Sequence, residues 1–268
     1  MQLANERAFD QLDERWMEAL DTAVDQLGEL MHVAAWLVKA RHADRAETLL
    51  AMLLEALEEQ HAHTAALETA RQALAWFPDH AGFRAVFVRA FPAAHPDNPY
   101  AAALVQASGL PVAAPLDECM AFIARRAHLR PGLFAIHRMR RIAVRLEDFD
   151  PRTDMLTLSD GTQSFPSNLA TFLDQYDALD DNDFRATSIF CRPALAALAE
   201  QDPGELTLRY LKVSGRTSTF RDFKDALTRC AVESDDWKQW WSKVKPVLVA
   251  HPFIDLGQGT QPSLTLRD

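Results

Sequence analysis

The sequence predicts an α+β protein, mostly α, laid out as three consecutive regions. Three observations carry that prediction. Residues 1–110 are rich in Ala and Leu, poor in Gly, and place apolar residues at three- and four-residue steps. Residues 130–166 break into short apolar strings separated by turn chemistry. Near the C-terminus, half of the six tryptophans fall within five residues of Asp235-Asp236-Trp237-Lys238-Gln239-Trp240-Trp241-Ser242-Lys243-Val244-Lys245. Three such large side chains together mark either the anchor of a small domain or a binding face.

In the first region Trp16, Leu20, Val24, Leu27 and Leu30-Met31 share one helical face. Asp44-Arg45-Ala46-Glu47 reads as a capping box that opens a helix through Leu57. A third helix is expected over 64–76, stopped by Pro78, and a fourth over 81–91, ended by Pro92. Short connections imply antiparallel neighbours, in a bundle or a short helical-repeat stack. Ala65-Ala66-Leu67-Glu68-Thr69-Ala70-Arg71-Gln72-Ala73-Leu74 has the small–large alternation of a tetratricopeptide helix. Residues 93–99 read as a proline-rich linker, followed by helices over 101–107 and 116–127.

From Leu129-Arg130-Pro131-Gly132 onward the period shortens. Residues 135–138, 141–147 and 155–158 read as strands, with breaks at Asp148-Phe149-Asp150-Pro151 and Ser159-Asp160-Gly161-Thr162. Three or four strands are expected by 166, forming a small antiparallel β barrel or sheet. A helical turn over 168–173 and an acidic linker over 174–183 should follow. The last region then gives short helices over 193–200 and 206–213, a short segment Thr217-Ser218-Thr219-Phe220, and a helix over 221–230. The tryptophan helix and a closing hairpin complete it. Helices followed by a hairpin in this order are winged-helix-like. The expected domains are thus 1–128, α-helical and tetratricopeptide-like; 129–184, a β barrel-like module with an acidic linker; and 185–268, winged-helix-like.

Composition narrows the function. At 268 residues, 48% hydrophobic and 25% charged, the chain has the profile of a globular protein. A net charge of −10 argues against a surface devoted to nucleic acid. Cys119, Cys191 and Cys230 are odd in number and form no CxxC, which fits a reducing compartment. Met1-Gln2-Leu3-Ala4-Asn5-Glu6-Arg7 has no signal-peptide character, and no apolar run reaches roughly 18 residues, so a cytoplasmic, non-membrane protein is expected.

Chemistry-bearing motifs are sparse. GxGxxG, Walker, GxSxG and HExxH patterns are absent, and no enzyme, metal or cofactor is expected. His61 and His63, two apart on an expected helix, point roughly 200° apart and cannot share a metal there. Asp174, Asp177, Asp180, Asp181 and Asp183 lack EF-hand spacing. Gly257-Gln258-Gly259-Thr260 reads as a turn. The asymmetry that stands out is a basic run, Arg125, Arg126, Arg130, Arg138, Arg140, Arg141 and Arg145, with no acid between Glu118 and Glu147. It is either a face for phosphates or an acidic protein, or a solvated face paired internally with 174–183. Trp237, Trp240, Trp241 and Val244 follow i, i+3, i+4, i+7, which makes them a core face and leaves Lys238, Lys243 and Lys245 exposed.

Several blocks resemble the N-terminal region of long Gre-type transcription elongation factors. They are Ala34-Ala35-Trp36-Leu37-Val38-Lys39 with Arg45-Ala46, Ser108-Gly109-Leu110, Gly132-Leu133-Phe134-Ala135-Ile136-His137-Arg138, Trp237-Lys238-Gln239-Trp240-Trp241-Ser242-Lys243-Val244-Lys245 with His251-Pro252, and 264–268. The resemblance implies a helical array, a small barrel similar to modules that contact RNA polymerase, and a winged helix. The acidic-tipped coiled coil is not in this chain, so transcript cleavage is not implied. Met139-Arg140-Arg141 stands where the β module's glycine-rich turn is expected.

The expectation is therefore a non-enzymatic, transcription-associated protein that binds RNA polymerase or another protein of that machinery. Arg138, Arg140, Arg141, Lys238, Lys243 and Lys245 are its candidate contacts, and direct nucleic-acid binding is left open. The alternative is an interaction scaffold acting through the helical domain in an unrelated process.

Overall fold

The computed structural model describes residues 9–112, 114–257 and 263–267. The chain divides into two compact units, Met1–Arg130 with Asp150–Thr153, and Pro131–Phe149 with Asp154–Asp268. The fold is α+β with antiparallel pairing in its sheets.

The first unit is built from α1 (Phe9–Leu20), α2 (Leu27–Lys39), α3 (Ala43–Glu59), α4 (His63–Trp76), α5 (Ala81–Ala94), α6 (Ala101–Ala107) and α7 (Leu116–Arg126). One core joins them, with Leu50, Leu53, Leu54 and Leu57 of α3 fully or almost fully buried at its centre. Three expectations are corrected here. The cap of α3 is His42 rather than Asp44, because the helix begins one residue before the capping box and leaves Asp44 inside its first turn. And α5 continues through Pro92 to Ala94. A proline in the last turn removes only one backbone bond, while Phe87 stacked on Phe91 at 5.8 Å and Phe91 against His95 at 4.7 Å hold that turn. His61 lies in a left-handed turn (φ 53°) ahead of α4, not on a helix as expected.

The second unit opens with a five-stranded sheet: β1 (Phe134–His137), β2 (Ala143–Asp150), β3 (Met155–Ser159), β4 (Ser164–Asn168) and, after α8 (Leu169–Gln175), β5 (Tyr176–Leu179), in the order β4-β3-β2-β1-β5. The break expected at Asp148 begins only after Asp150, since Phe149 is buried as part of β2. The acidic stretch 174–183 is not a linker throughout. Its Tyr176–Leu179 segment pairs with β1 in the register Phe134↔Leu179 and His137↔Tyr176. Tyr176 stacks on Phe172 at 5.3 Å, and Leu179 packs beside Phe134 and Ala186. Two apolar anchors in four residues suffice for a short outer strand whose aspartate stays solvated.

Next come α9 (Phe184–Phe190), α10 (Arg192–Gln201), α11 (Pro203–Val213), β6 (Thr217–Thr219), α12 (Phe220–Leu227), α13 (Trp237–Ala250), β7 (Ile254–Leu256) and β8 (Ser263–Leu266). The second sheet has the order β6-β8-β7, with Ser218↔Leu264 and Asp255↔Thr265 in register. Helix, strand, two helices and a hairpin whose last strand returns between the other two make a helix-turn-helix domain with a wing. The expected Gly257-Gln258-Gly259-Thr260 turn lies, from Gln258 on, outside the described residues, as do the Met1–Arg7 stretch and Asp268.

The local signals for these helices are direct. Asp202, ahead of Pro203, accepts from Glu205 N at 2.9 Å to cap α11, and Thr219 accepts from Asp222 N at 3.1 Å to cap α12. The core of the domain is aromatic. Phe223, fully buried, meets Trp237 at 6.1 Å, Tyr210 at 5.3 Å and Trp241 at 6.2 Å between ring centroids. Trp237→Ala should therefore destabilise the second unit by about 3–5 kcal/mol, and Lys238→Ala by no more than about 0.5 kcal/mol. Urea unfolding followed by tryptophan fluorescence checks both; equal effects would contradict the packing assigned to this helix.

Candidate interaction surface

Trp237 is buried, and Trp240 and Trp241 are half-buried against the same core. Trp240 also donates its indole N–H to the Ala199 carbonyl at 2.9 Å, tying α13 to α10. The tryptophan face thus looks inward, as its period predicts. Away from the core Lys238, Gln239, Ser242, Lys243, Lys245 and Pro246 are exposed, with Lys238, Lys245 and Val249 on one flank of the helix and Lys243 and Val247 on the other. Among the described residues, none of the three lysines has a carboxylate partner. The entry to α13 is acidic and exposed, through Glu233, Asp235 and Asp236.

The other candidate contacts lie in the β1–β2 turn, 138–142. His137 shapes it by accepting from the Met139 and Arg140 backbone N–H groups at Nδ1, both at 3.2 Å. Arg141 adopts φ 57° there. The three arginines have different fates. Arg138 pairs with Asp177 Oδ1 at 2.9 Å and donates to the Asp174 and Leu173 carbonyls. Among the described residues it is thus the member of this turn for which the internal pairing with 174–183 holds. Arg140 and Arg141 are exposed and, among the described residues, have no carboxylate partner. Met139, 87% exposed, and Ile142 complete a mixed basic and apolar tip.

Beside this turn the sheet encloses a concavity of about 210 Å³ lined by His137, Arg140, Ile142, Val144, Asp160, Gln163, Phe165 and Tyr176. Phe165 and Tyr176 belong to the two outer strands, so the sheet must curl to bring both to one rim. No sequence signal identified this hollow, because its lining comes from five separated segments. Asp160 holds the β3–β4 turn: its Oδ1 accepts from Thr162 Oγ1 at 2.6 Å, Thr162 N at 2.8 Å and Gln163 N at 3.0 Å. Those donors, the Thr162 hydroxyl first, keep its carboxyl below the ordinary value of 3.8. The next residue, Gly161, has φ 88°, and a side chain there would meet Ile189 of α9 at 2.3 Å.

Among the described residues no group of three or more His, Cys, Asp or Glu is placed to hold a metal ion, and no helix is long and apolar enough to cross a membrane. All three cysteines are unpaired thiols, and burial pushes that of Cys230 up to about 11.

Residues 186–268 match the family described as the GRAD helix-turn-helix domain. That span covers α10 to β8 and agrees with the winged arrangement of the C-terminal elements. No curated protein and no solved structure matches the chain. The matched span holds 11 Lys and Arg against 10 Asp and Glu, whereas residues 1–185 hold 17 against 28.

Two predictions follow from the turn chemistry. Arg138→Ala should cost about 1 kcal/mol, because it removes an ion pair and bonds to two carbonyls, whereas Arg140→Ala should cost under about 0.5 kcal/mol; chemical denaturation of the two variants compares them. Asp160 has a folded-state pKa below its unfolded one. Its contribution to stability is therefore present above pH 3.8 and disappears as pH falls through the lower folded-state value. An NMR titration of the Thr162 and Gln163 amides should show a midpoint below 3.8, and one at or above that value would contradict the bonding described.

Proposed function

We propose that the chain is a non-enzymatic, transcription-associated protein that docks on RNA polymerase or another protein of the transcription machinery. In this reading the β module acts as a small barrel next to a winged helix. The contacts are made by Arg140 and Arg141 of the β1–β2 turn and by Lys238, Lys243 and Lys245 of α13, while Arg138 positions the turn.

The observation that carries the proposal is the exposed face of α13 in a helix-turn-helix domain. A DNA-reading helix brings its N-terminal residues to base edges between two phosphate backbones. Here that end carries Glu233, Asp235 and Asp236, which phosphates would repel. Three exposed lysines without a carboxylate partner among the described residues, with Val247 and Val249 exposed beside them, suit an acidic protein surface better. The resemblance of 132–138 and 237–245 to Gre-type factors supports transcription as the setting.

A second reading has its own support. A groove of about 390 Å³ on the first unit is lined by Asp13, Met17, Asp44, Arg45, Thr48, Leu49 and Met52. Met17 is half exposed there, which suits a helical scaffold that binds a partner peptide between α1 and α3.

Tagged chain should capture RNA polymerase at low salt and release it as salt rises. Charge reversal of Arg140 and Arg141, or of Lys238, Lys243 and Lys245, should reduce capture at least tenfold. Capture no better than that of the reversed variants would sink the proposal. Loss of partner binding on Met17→Glu, with the basic residues intact, would favour the scaffold instead.

A further inference from the structure

The concavity beside the β1–β2 turn has a specific donor chemistry. Arg140 has no carboxylate partner among the described residues. The Tyr176 hydroxyl and the Gln163 side-chain amide have no hydrogen-bond partner among them either. His137 Nδ1 already accepts two backbone N–H groups, which leaves Nε2 to carry the proton of the neutral ring. Four donors from β1, its following turn, the β3–β4 turn and β5 therefore line one hollow. Its walls are apolar, from Ile142, Val144 and Phe165, and Met139 stands exposed in the same turn.

We infer that this hollow receives the carboxylate of an acidic side chain, carried next to an apolar residue on a partner protein. The inference rests on the reading above that the partner is a protein, and it names what that partner presents. A guanidinium matches a carboxylate with two parallel N–H donors, and hydroxyl, amide and imidazole donors can fill the remaining lone pairs. Burial raises the pKa of the Tyr176 phenol, which keeps it a donor at neutral pH. The volume of about 210 Å³ lies below the roughly 300 Å³ at which sites for drug-sized ligands begin, so it suits a side chain rather than a cofactor. Charge selects among occupants. Arg140 and Asp160 are the charged side chains lining the hollow, with Arg141 exposed in the turn and Arg138 neutralised by Asp177. Asp160 turns its Oδ1 onto the Thr162 and Gln163 donors, and the single guanidinium lining the hollow matches one added negative charge rather than a run of phosphates.

The test is an NMR titration of the full chain with two capped pentapeptides, one carrying a glutamate between two leucines and the other a glutamine in its place. The glutamate peptide should shift the amides of 137–142, Gln163, Phe165 and Tyr176 saturably. It should bind at least fivefold more tightly than the glutamine peptide. Arg140→Gln should remove that preference, and Tyr176→Phe, which keeps the ring stack on Phe172, should weaken it; unchanged thermal unfolding shows that both variants fold. Equal affinity for the two peptides, shifts confined to other surfaces, or tighter binding of an eight-nucleotide oligouridine at the same amides would overturn the inference. Polymerase capture without peptide discrimination would overturn the hollow and leave the proposed function standing. Discrimination without polymerase capture would support the hollow and remove polymerase as its partner.

Discussion

The contact between Phe223 and Trp237 governs what the C-terminal domain can present. A helix with exposed lysines is a useful surface only if its rotation about its own axis is fixed. Here that rotation is set by a large ring placed in a closed aromatic cage. Phe223 lies between Tyr210 of α11 and Trp237 and Trp241 of α13, with Phe220 at 4.8 Å from Trp241. Turning α13 by one residue would carry Trp237 toward solvent and Lys238 into the cage, against both the apolar gain and the cost of burying a charge. The Trp240 bond to the Ala199 carbonyl adds a directional stop that a purely apolar contact lacks.

A second constraint acts on the arginine turn. Helix α9 is short, but its Phe190 stacks on Phe134 of β1 at 5.6 Å and lies under the Arg145 guanidinium at 5.1 Å. Its Ile189 closes over Gly161, where the backbone is left-handed and a side chain has no room. The curled sheet is thereby seated on the element that leads into the helix-turn-helix domain. Arg138 does the complementary work at the free end, joining the turn to β5 and to the end of α8. Arg138, paired inward, ties down the turn from which the exposed Arg140 and Arg141 project.

These constraints differ in how far they can be read from the chain. The tryptophan spacing was legible because burial on a helix repeats at three and four residues, and Trp237, Trp240 and Val244 obey it. The strand Tyr176–Leu179 was not, because an aspartate at 177 within a run of five acids outweighs two apolar residues in any local reading. Its pairing depends on the vacant edge of β1, forty residues earlier in the chain by order of magnitude, which no local pattern reports. Pro92 misled for the converse reason: it forbids a helix interior but tolerates a last turn that Phe87 and Phe91 hold in place. For the basic run, sequence offered two readings and the side chains divide between them, Arg138 inward and Arg140 and Arg141 outward. The hollow they border had no linear signature at all.

Charge distribution gives these local facts a direction. The acidic excess lies in residues 1–185, while 186–268 is nearly balanced. A protein that must approach nucleic acid usually concentrates positive charge on the approaching domain, since counterion release supplies much of that affinity. A balanced domain whose three exposed lysines are split between the two flanks of one helix, with an acidic entry to the same helix, carries little such drive. What it retains is short-range selectivity. At physiological salt, charges separated by more than about 8 Å are largely screened, so under the proposed function these lysines act only on a partner already in contact. A surface of that kind discriminates by register: its cations must find carboxylates while the valines beside them find apolar area. Both halves of the condition are features of protein interfaces, and the basic and apolar tip of the β1–β2 turn repeats the same pairing of chemistries.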